Sequence, residues 1–388
     1  MAAPHIDRLL ETVLRTGATD LWLTPGVPPV VRVDGALRPL ETPKLTAASV
    51  RKLISAIAPK TKLTELETTG RTHFAFAFGK KGRFRASACR QAGGWSLSLR
   101  FIPPAPFSIE DVGLPLIVKA LCRRPRGLFL VAGPAGSGRT TVLAALIHYI
   151  NTLVGDRRIF TVEDPIEYVH VQHKCLVSQL EIGTHVATYG EGIAELGRQG
   201  ASVVVIGDLD DAAVLHAAAQ LARTDALVFG HLRARGAREV IELVCDAHGD
   251  RLRESWRAAA AESLLAALSC ELCPRLDGGM VPAFEFLVNT PATATLIREG
   301  SLDRVDNAIR TGGKYGMQLL DDHLHELWQA GVIAAEEAIE RARDPSAFQG
   351  RIEGRLRPGS DDNPLADPRP VRPKRPPPGL STHAEPPE

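Results

Sequence analysis

The run Leu128-Phe129-Leu130-Val131-Ala132-Gly133-Pro134-Ala135-Gly136-Ser137-Gly138-Arg139-Thr140 decides the fold. Five apolar residues in succession are too few for a helix of their own and predict a strand buried on both faces. Glycines at 133, 136 and 138 then open backbone conformations that residues with a Cβ avoid. An apolar helix follows, reaching Ile150. Strand, glycine-rich turn and helix in that order turn backbone N–H groups towards one point, and the helix N-terminus adds partial positive charge. The spacing G-x-x-x-x-G-[K]-[ST] of a phosphate cradle is met at every defined position except the lysine, which is Arg139. Thr140 offers a hydroxyl suited to Mg2+. The plainer alternative is an ordinary glycine-rich turn between strand and helix.

Outward from this loop, Ile159 to Val162, Val203 to Ile206 and Ala226 to Phe229 read as further buried strands. Strands alternating with helices from about Leu114 imply a parallel sheet with crossovers. Beyond Arg253 the chain reads as mostly helical to about Arg343. On the N-terminal side, Ile6, Leu9, Leu10, Val13 and Leu14 recur at helical spacing, and Gly17 ends that helix. Leu21 to Leu23 and Val30 to Val33, with the Asp34-Gly35 turn signal, predict paired strands. Ala47 to Ala58 reads as a helix. Thr72 to Phe78, Arg83 to Cys89 and Leu97 to Ile102 read as three strands of a small antiparallel sheet, its alternation clearest in His73-Phe74-Ala75-Phe76-Ala77-Phe78. Pro103-Pro104-Ala105-Pro106 is a stiff linker. These shifts divide the chain into an α+β unit at 1–102, a linker at 103–113, a main domain at 114–345 and a tail at 346–388. From Pro358 onward the tail is proline-rich and short of large apolar side chains, a composition that predicts disorder.

The chain has 388 residues, 44% of them hydrophobic, which is ample for two cores. A formal net charge of +1 removes any whole-chain case for nucleic acid or anionic lipid. The six cysteines form no regular framework, and only Cys270 and Cys273 make a C-x-x-C pair. One such pair lacks the roughly four ligands of a structural zinc site and reads as incidental, on a helix end. Residues 1–10 carry Asp7 and Arg8 and no apolar h-region, and no apolar run approaches the roughly 20 residues of a membrane span. The expectation is a soluble cytoplasmic protein, reaching the inner membrane only through partners.

Four further segments carry a specific resemblance. Phe160-Thr161-Val162-Glu163-Asp164-Pro165-Ile166-Glu167 resembles the acidic box of the secretion and pilus ATPases. Ala18-Thr19-Asp20-Leu21 with Pro28 to Gly35 is similar to the opening of the N-terminal domain of type IV pilus retraction ATPases of the PilT/PilU type. Pro291 to Glu299 resembles the signature segment of that subfamily, and Ala308 to Gly312 with Gly316 to Asp321 its C-terminal helical region. The likeness runs from about residue 3 to 345, with the motifs in family order. It implies an α/β fold: a P-loop (RecA-like) parallel-sheet domain with a helical C-terminal region, preceded by a small α+β, PAS-like domain. It implies ATP and Mg2+ as cofactors and a homohexamer, or a hetero-assembly with a related motor, engaging a pilus inner-membrane platform protein. Gly133, Pro134, Ala135, Gly136, Ser137, Gly138, Arg139, Thr140 and Thr141 would contact nucleotide, and Thr140 and Glu163 would hold Mg2+. Arg83, Arg85 and Arg100 fall where the family places arginines that reach the phosphates, between the N-terminal domain of one subunit and its neighbour's P-loop domain. A solvated strand face is the alternative for each.

The departures matter as much. Arg139 delivers charge as a broad planar fork in place of a compact ammonium. Asp208 stands where the family carries glutamate, one methylene longer. Gly200-Ala201-Ser202 replaces the family's Asp-Pro-Asp. Arg233 occupies the place of the family's histidine, with His231 two positions earlier, about 6.6 Å along a strand. Two readings stay open: a retraction motor that hydrolyses ATP, with Glu163 and Asp208 at the chemistry, or a non-hydrolysing subunit that regulates or scaffolds a true pilus or type II secretion motor. A generic P-loop NTPase acting on nucleic acid lacks the basic stripe it would need.

Overall fold

A computed structural model describes residues 5–246 and 253–356. The N-terminal unit begins with α1 (Ile6–Thr16), closed by Gly17 in the left-handed region. It continues through β1 (Asp20–Leu23), β2 (Val30–Val33), β3 (Ala36–Pro39), α2 (Ala47–Ser55), α3 (Lys60–Thr69), β4 (Arg71–Ala77), β5 (Arg83–Gln91) and β6 (Gly94–Ile102). Its six strands form one antiparallel sheet in the order β3-β2-β1-β6-β5-β4. Period-two alternation gives the sheet two unlike faces. Leu21, Phe74, Phe84, Ala86 and Leu99 are buried with Leu10, Val13 and Ile54. Arg85 stands opposite Arg100, and Asp20 opposite both Arg100 and Arg32, in a row of charge on the other face.

The second unit contains α4 (Ile117–Leu121), β7 (Gly127–Ala132), α5 (Arg139–Tyr149), β8 (Arg158–Glu163), β9 (Leu176–Glu181), α6 (Tyr189–Arg198), β10 (Val203–Ile206), α7 (Ala212–Thr224), β11 (Leu227–Leu232), α8 (Ala237–Asp246) and α9 (Arg253–Ser263). Next come β12 (Leu264–Pro274), β13 (Met280–Val288), α10 (Pro291–Glu299), α11 (Val305–Thr311), α12 (Leu320–Gln329), α13 (Ala335–Arg341) and α14 (Pro345–Leu356). The sheet order is β13-β12-β7-β11-β10-β8-β9, parallel from β12 through β9 with β13 antiparallel at one edge. β7 is buried along its whole length because helices cover both faces. Leu128, Leu130, Val204, Ile206 and Val228 pack on the α6–α9 side. Phe129, Val131, Val205 and Phe229 pack on the α4–α5 side.

The structure corrects the helical expectation beyond Arg253. Residues 264–288 form the hairpin β12–β13, which extends the parallel sheet past β7. The alanine-rich end of α9 runs into β12 without an intervening Gly or Pro, so nothing local marks the change. Cys270 and Cys273 therefore lie on a strand and not on a helix end. Both are buried free thiols, pushed up to about 12 and about 11 by that burial. Residues 346–356, assigned to the tail by composition, lie in α14, whose Phe348 and Ile352 join a small core with Leu324, Ile333 and Ala338. The proline-rich remainder from residue 357 lies outside the described residues. Among the described residues no helix is long and apolar enough to cross a membrane.

Candidate functional site

The glycine-rich loop leaves the carboxyl end of β7 and feeds α5. Gly133, Gly136 and Gly138 have φ of 141°, 85° and 95°, all in the region that favours glycine. At Gly133 a Cβ would strike Ser137 Oγ and stand 2.5 Å from the Cys270 carbonyl oxygen, so only glycine fits. Ser137 N–H donates to the Pro134 carbonyl at 3.3 Å, closing the turn. Among the described residues the amides of Gly136, Gly138, Arg139, Thr140 and Thr141 have no backbone acceptor. The last three are the unsatisfied donors that every helix start carries. The loop is thus an open cradle of N–H groups. Ser137 Oγ is buried beneath it without a hydrogen-bond partner among the described residues. Tyr168, its hydroxyl pushed up by burial, receives a hydrogen bond from Thr141 and packs with Ala144 and Ile102 where the two units meet.

Arg139 does not extend along the cradle. Its Nη1 donates to the Leu232 carbonyl at 3.0 Å, at the end of β11, and burial lowers the guanidinium's proton affinity. Asp208 Oδ1 accepts from Asp210 N–H at 2.8 Å, and among the described residues Oδ2 accepts no hydrogen bond. Asp210 accepts from Arg233 N–H at 2.7 Å, and its Oδ2 lies 3.2 Å from Arg233 Nε. The Arg233 side chain, 70% exposed, points outward along that ion pair. His231 pairs in register with Val131, immediately before the cradle. Burial, then the Arg139 charge, push its imidazole down to about 3, so it is neutral, and its Nδ1 is without a partner among the described residues. Ser202, in the altered segment before β10, accepts from Arg158 N–H at 3.0 Å and ties β10 to β8.

Glu163 ends β8, paired in register with Glu181 of β9. Its Oε1 accepts from Thr161 Oγ1 at 2.5 Å and from Gln179 Nε2 at 3.1 Å. Burial outweighs both donors and pushes the carboxyl up to about 7. Next to it, the N-terminal unit closes on its own chain. His73 Nε2 is 2.8 Å from Asp164 Oδ1, Arg83 Nη2 donates to the Ile166 carbonyl at 3.1 Å, and Arg85 Nη1 lies 2.7 Å from Glu167 Oε1. The hydrogen bond to Asp164, more than any other influence, holds the His73 imidazole above its ordinary range. Arg100 Nε is 2.9 Å from Asp20 Oδ1, and its Nη1 would stand 3.8 Å from a Cβ on Gly136. The arginines expected to serve a neighbouring subunit's cradle therefore face the acidic box and cradle of their own chain. His73 was missed in the sequence because it lies in a run read only for its phenylalanines; its partner is 91 residues away.

The chain matches the family model "Type II/IV secretion system protein" over residues 1–315. It is 36% identical over 343 residues to the type IV pilus retraction ATPase PilT of Pseudomonas aeruginosa, covering 88% of this chain and 99% of that protein. It is 30% identical over 340 residues to the type IV pilus ATPase PilU of the same organism, covering 87% and 88%. Among solved structures, that of the pilus retraction motor PilT with bound ADP superposes with a TM-score of 0.78 at 33% identity, covering 89% of this chain and 99% of that one.

Proposed function

This chain belongs to the type II/IV secretion system protein family, in its PilT-type pilus retraction ATPase branch, and from that premise we propose that it binds ATP in the loop from Gly133 to Thr141 and hydrolyses it slowly as a motor subunit of pilus retraction. The observation that carries this is the open amide cradle at the β7–α5 junction, with Arg100 of the N-terminal sheet beside it and Arg83 and Arg85 on the neighbouring acidic box. The division into an N-terminal unit at 1–102 and a main domain from 114 gives that motor two bodies. Assembly as a homohexamer, or with a related motor, and docking on a pilus platform protein belong to the same proposal.

Mg2+ is implied by the family, and the residues present fit it. Thr140 Oγ1 and the carboxylates of Glu163 and Asp208 are hard oxygen donors. Among the described residues no cluster of three or more His, Cys, Asp or Glu could hold an ion alone. That suits Mg2+, which takes one or two protein oxygens and the rest from phosphate and water. Thr140 and Glu163 would hold it, and it would offset phosphate charge. The chain's own groups do the remainder. Cradle amides fix the β- and γ-phosphates. Arg83, Arg85 and Arg100 exchange their present acceptors for phosphate oxygens and stabilise the charge that spreads during transfer. Asp208 takes the proton shed by the attacking water.

The non-hydrolysing reading has its own observation: Arg139 is held by the Leu232 carbonyl and Asp208 by the Asp210 amide, so two groups expected at the phosphates are turned elsewhere. Purified protein assayed for ATP turnover beside Asp208→Asn separates the two. Turnover above the variant supports the motor, and turnover equal to it refutes hydrolysis. Titration with ADP tests binding independently.

A further inference from the structure

The N-terminus of α6 brings a tyrosine into the site that no sequence motif singled out. Thr188 caps α6, accepting from Glu191 N–H at 3.2 Å, while Glu191 Oε2 accepts from Ala187 N–H at 2.9 Å. Further along, a Cβ at Gly192 would stand 2.8 Å from Val162, so α6 lies directly on β8. Cap and close approach fix Tyr189, the first residue of the helix, with its ring against the main core. Its hydroxyl lies over the turn that follows β10. The point where a Cβ would stand on Gly207 is 3.3 Å from Tyr189 Oη and 3.2 Å from Glu163 Cα, and Asp208 is the next residue. Among the described residues that hydroxyl makes no hydrogen bond. Burial foremost, then the charges of Asp164, Asp208 and Glu163, push it well above its ordinary range, so it stays protonated and able to donate.

We propose that Tyr189 is a positioning residue for hydrolysis, its hydroxyl holding the attacking water between Asp208 and Glu163. The inference rests on the nucleotide-site reading above and deepens it. Asp208 alone is one methylene short of the water. A hydroxyl that donates to Asp208 Oδ2 and accepts one hydrogen from the water spans that gap. No bond to Tyr189 forms or breaks. The water oxygen bonds to the γ-phosphorus, the bond to the β–γ bridging oxygen breaks and its electron pair leaves with ADP, and the shed proton passes to Asp208 and then to solvent.

The test is Tyr189→Phe, which keeps the ring and its packing. Losing one well-placed hydrogen bond lowers kcat about tenfold, with KM within about twofold. In parallel, fluorescent ADP with aluminium fluoride, which mimics the transferring phosphoryl group and its water, binds the variant about tenfold more weakly, while ADP alone binds as in the wild type. The second arm needs no turnover. If the wild type does not hydrolyse ATP, the hydrolysis reading falls and takes the inference with it; if the wild type hydrolyses ATP and Tyr189→Phe does so equally, the inference alone falls. A variant equal to the wild type with aluminium fluoride, equally weakened for ADP, or a wild type that forms no such complex, overturns the inference.

Discussion

Arg139→Lys is the most informative single change, because it restores the residue that the loop's spacing calls for. Arg139 Nη1 donates to the Leu232 carbonyl at 3.0 Å. A hydrogen bond from a charged donor contributes about 1.5–3 kcal/mol. Nucleotide must break that bond before the guanidinium can turn to phosphate, so the tether weakens binding by roughly 10- to 150-fold. Lysine, with a compact ammonium on a flexible stem, neither reproduces the planar contact nor needs the room of the fork. Arg139→Lys therefore tightens ATP and ADP by at least about tenfold, raises turnover, and lowers the stability of the nucleotide-free protein by about 1–2 kcal/mol. Fluorescent-nucleotide titration, a phosphate-release assay and thermal unfolding without ligand read the three effects. Arg139→Ala, which loses tether and charge together, stays weak. Equal or weaker binding by the lysine variant, with unfolding unchanged, would refute the tether and with it the account of why the altered loop is slow.

Gly133→Ala meets both strained φ and contact with Ser137 Oγ and the Cys270 carbonyl; we expect at least about 2 kcal/mol of destabilisation and loss of ADP binding by titration. Glu163 has its folded-state proton affinity raised from 4.5 to about 7, so its contribution favours the fold below pH 4.5 and is lost as pH rises through 7. Glu163→Gln accordingly stabilises the nucleotide-free protein at pH 8, by up to about 3 kcal/mol, and not at pH 4, measured as the unfolding midpoint at each pH. Turnover falls in the same variant. Glu285 is fully buried, 3.2 Å from Arg343 Nη1, and also accepts from Ala237 N–H at 2.7 Å. Arg343→Ala leaves that carboxylate without its counter-charge, and denaturant unfolding should show a loss of about 3–5 kcal/mol. An unchanged midpoint would show that the pair carries no weight.

The sheet's centre was legible because two independent signals agree there. β7, β8, β10 and β11 are short apolar runs, and the cradle follows β7 at fixed spacing. Where one signal is missing the reading fails. α9 has an alanine-rich end and β12 opens with leucine and alanine, so composition alone favours helix across the junction. β9 is an edge strand, mostly half-buried, so its apolar pattern is weak. α3 buries only Leu66 and carries little amphipathic signal. In the site, residue identities were readable and their partners were not. Arg83 and Arg85 meet Ile166 and Glu167 across more than 80 residues, a separation that only the packed structure closes. His231 shows the same limit: strand spacing placed it away from the expected histidine position, yet the structure sets it where the charges of Arg139 and Asp210 act on its ring.

Apart from Gly200-Ala201-Ser202 at the amino end of β10, the altered residues and their partners are not scattered. Arg139, Asp208, Asp210, His231 and Arg233 all lie at or just beyond the carboxyl ends of β7, β10 and β11, and they form one connected set: Arg139 on the Leu232 carbonyl, Asp208 on the Asp210 amide, Asp210 on Arg233. A site that merely decays accumulates uncompensated charge, and each buried charge without a partner costs several kcal/mol. Here Arg139 and Arg233 share a neighbourhood with Asp208 and Asp210, and the neutral His231 lies among them without adding charge. Four positive N-terminal groups, His73 when protonated and Arg83, Arg85 and Arg100, are likewise held by acceptors that phosphate can replace. Charge balance in the nucleotide-free state together with an open amide cradle is the arrangement of a site that exchanges internal partners for a ligand, and that exchange sets both its affinity and its pace.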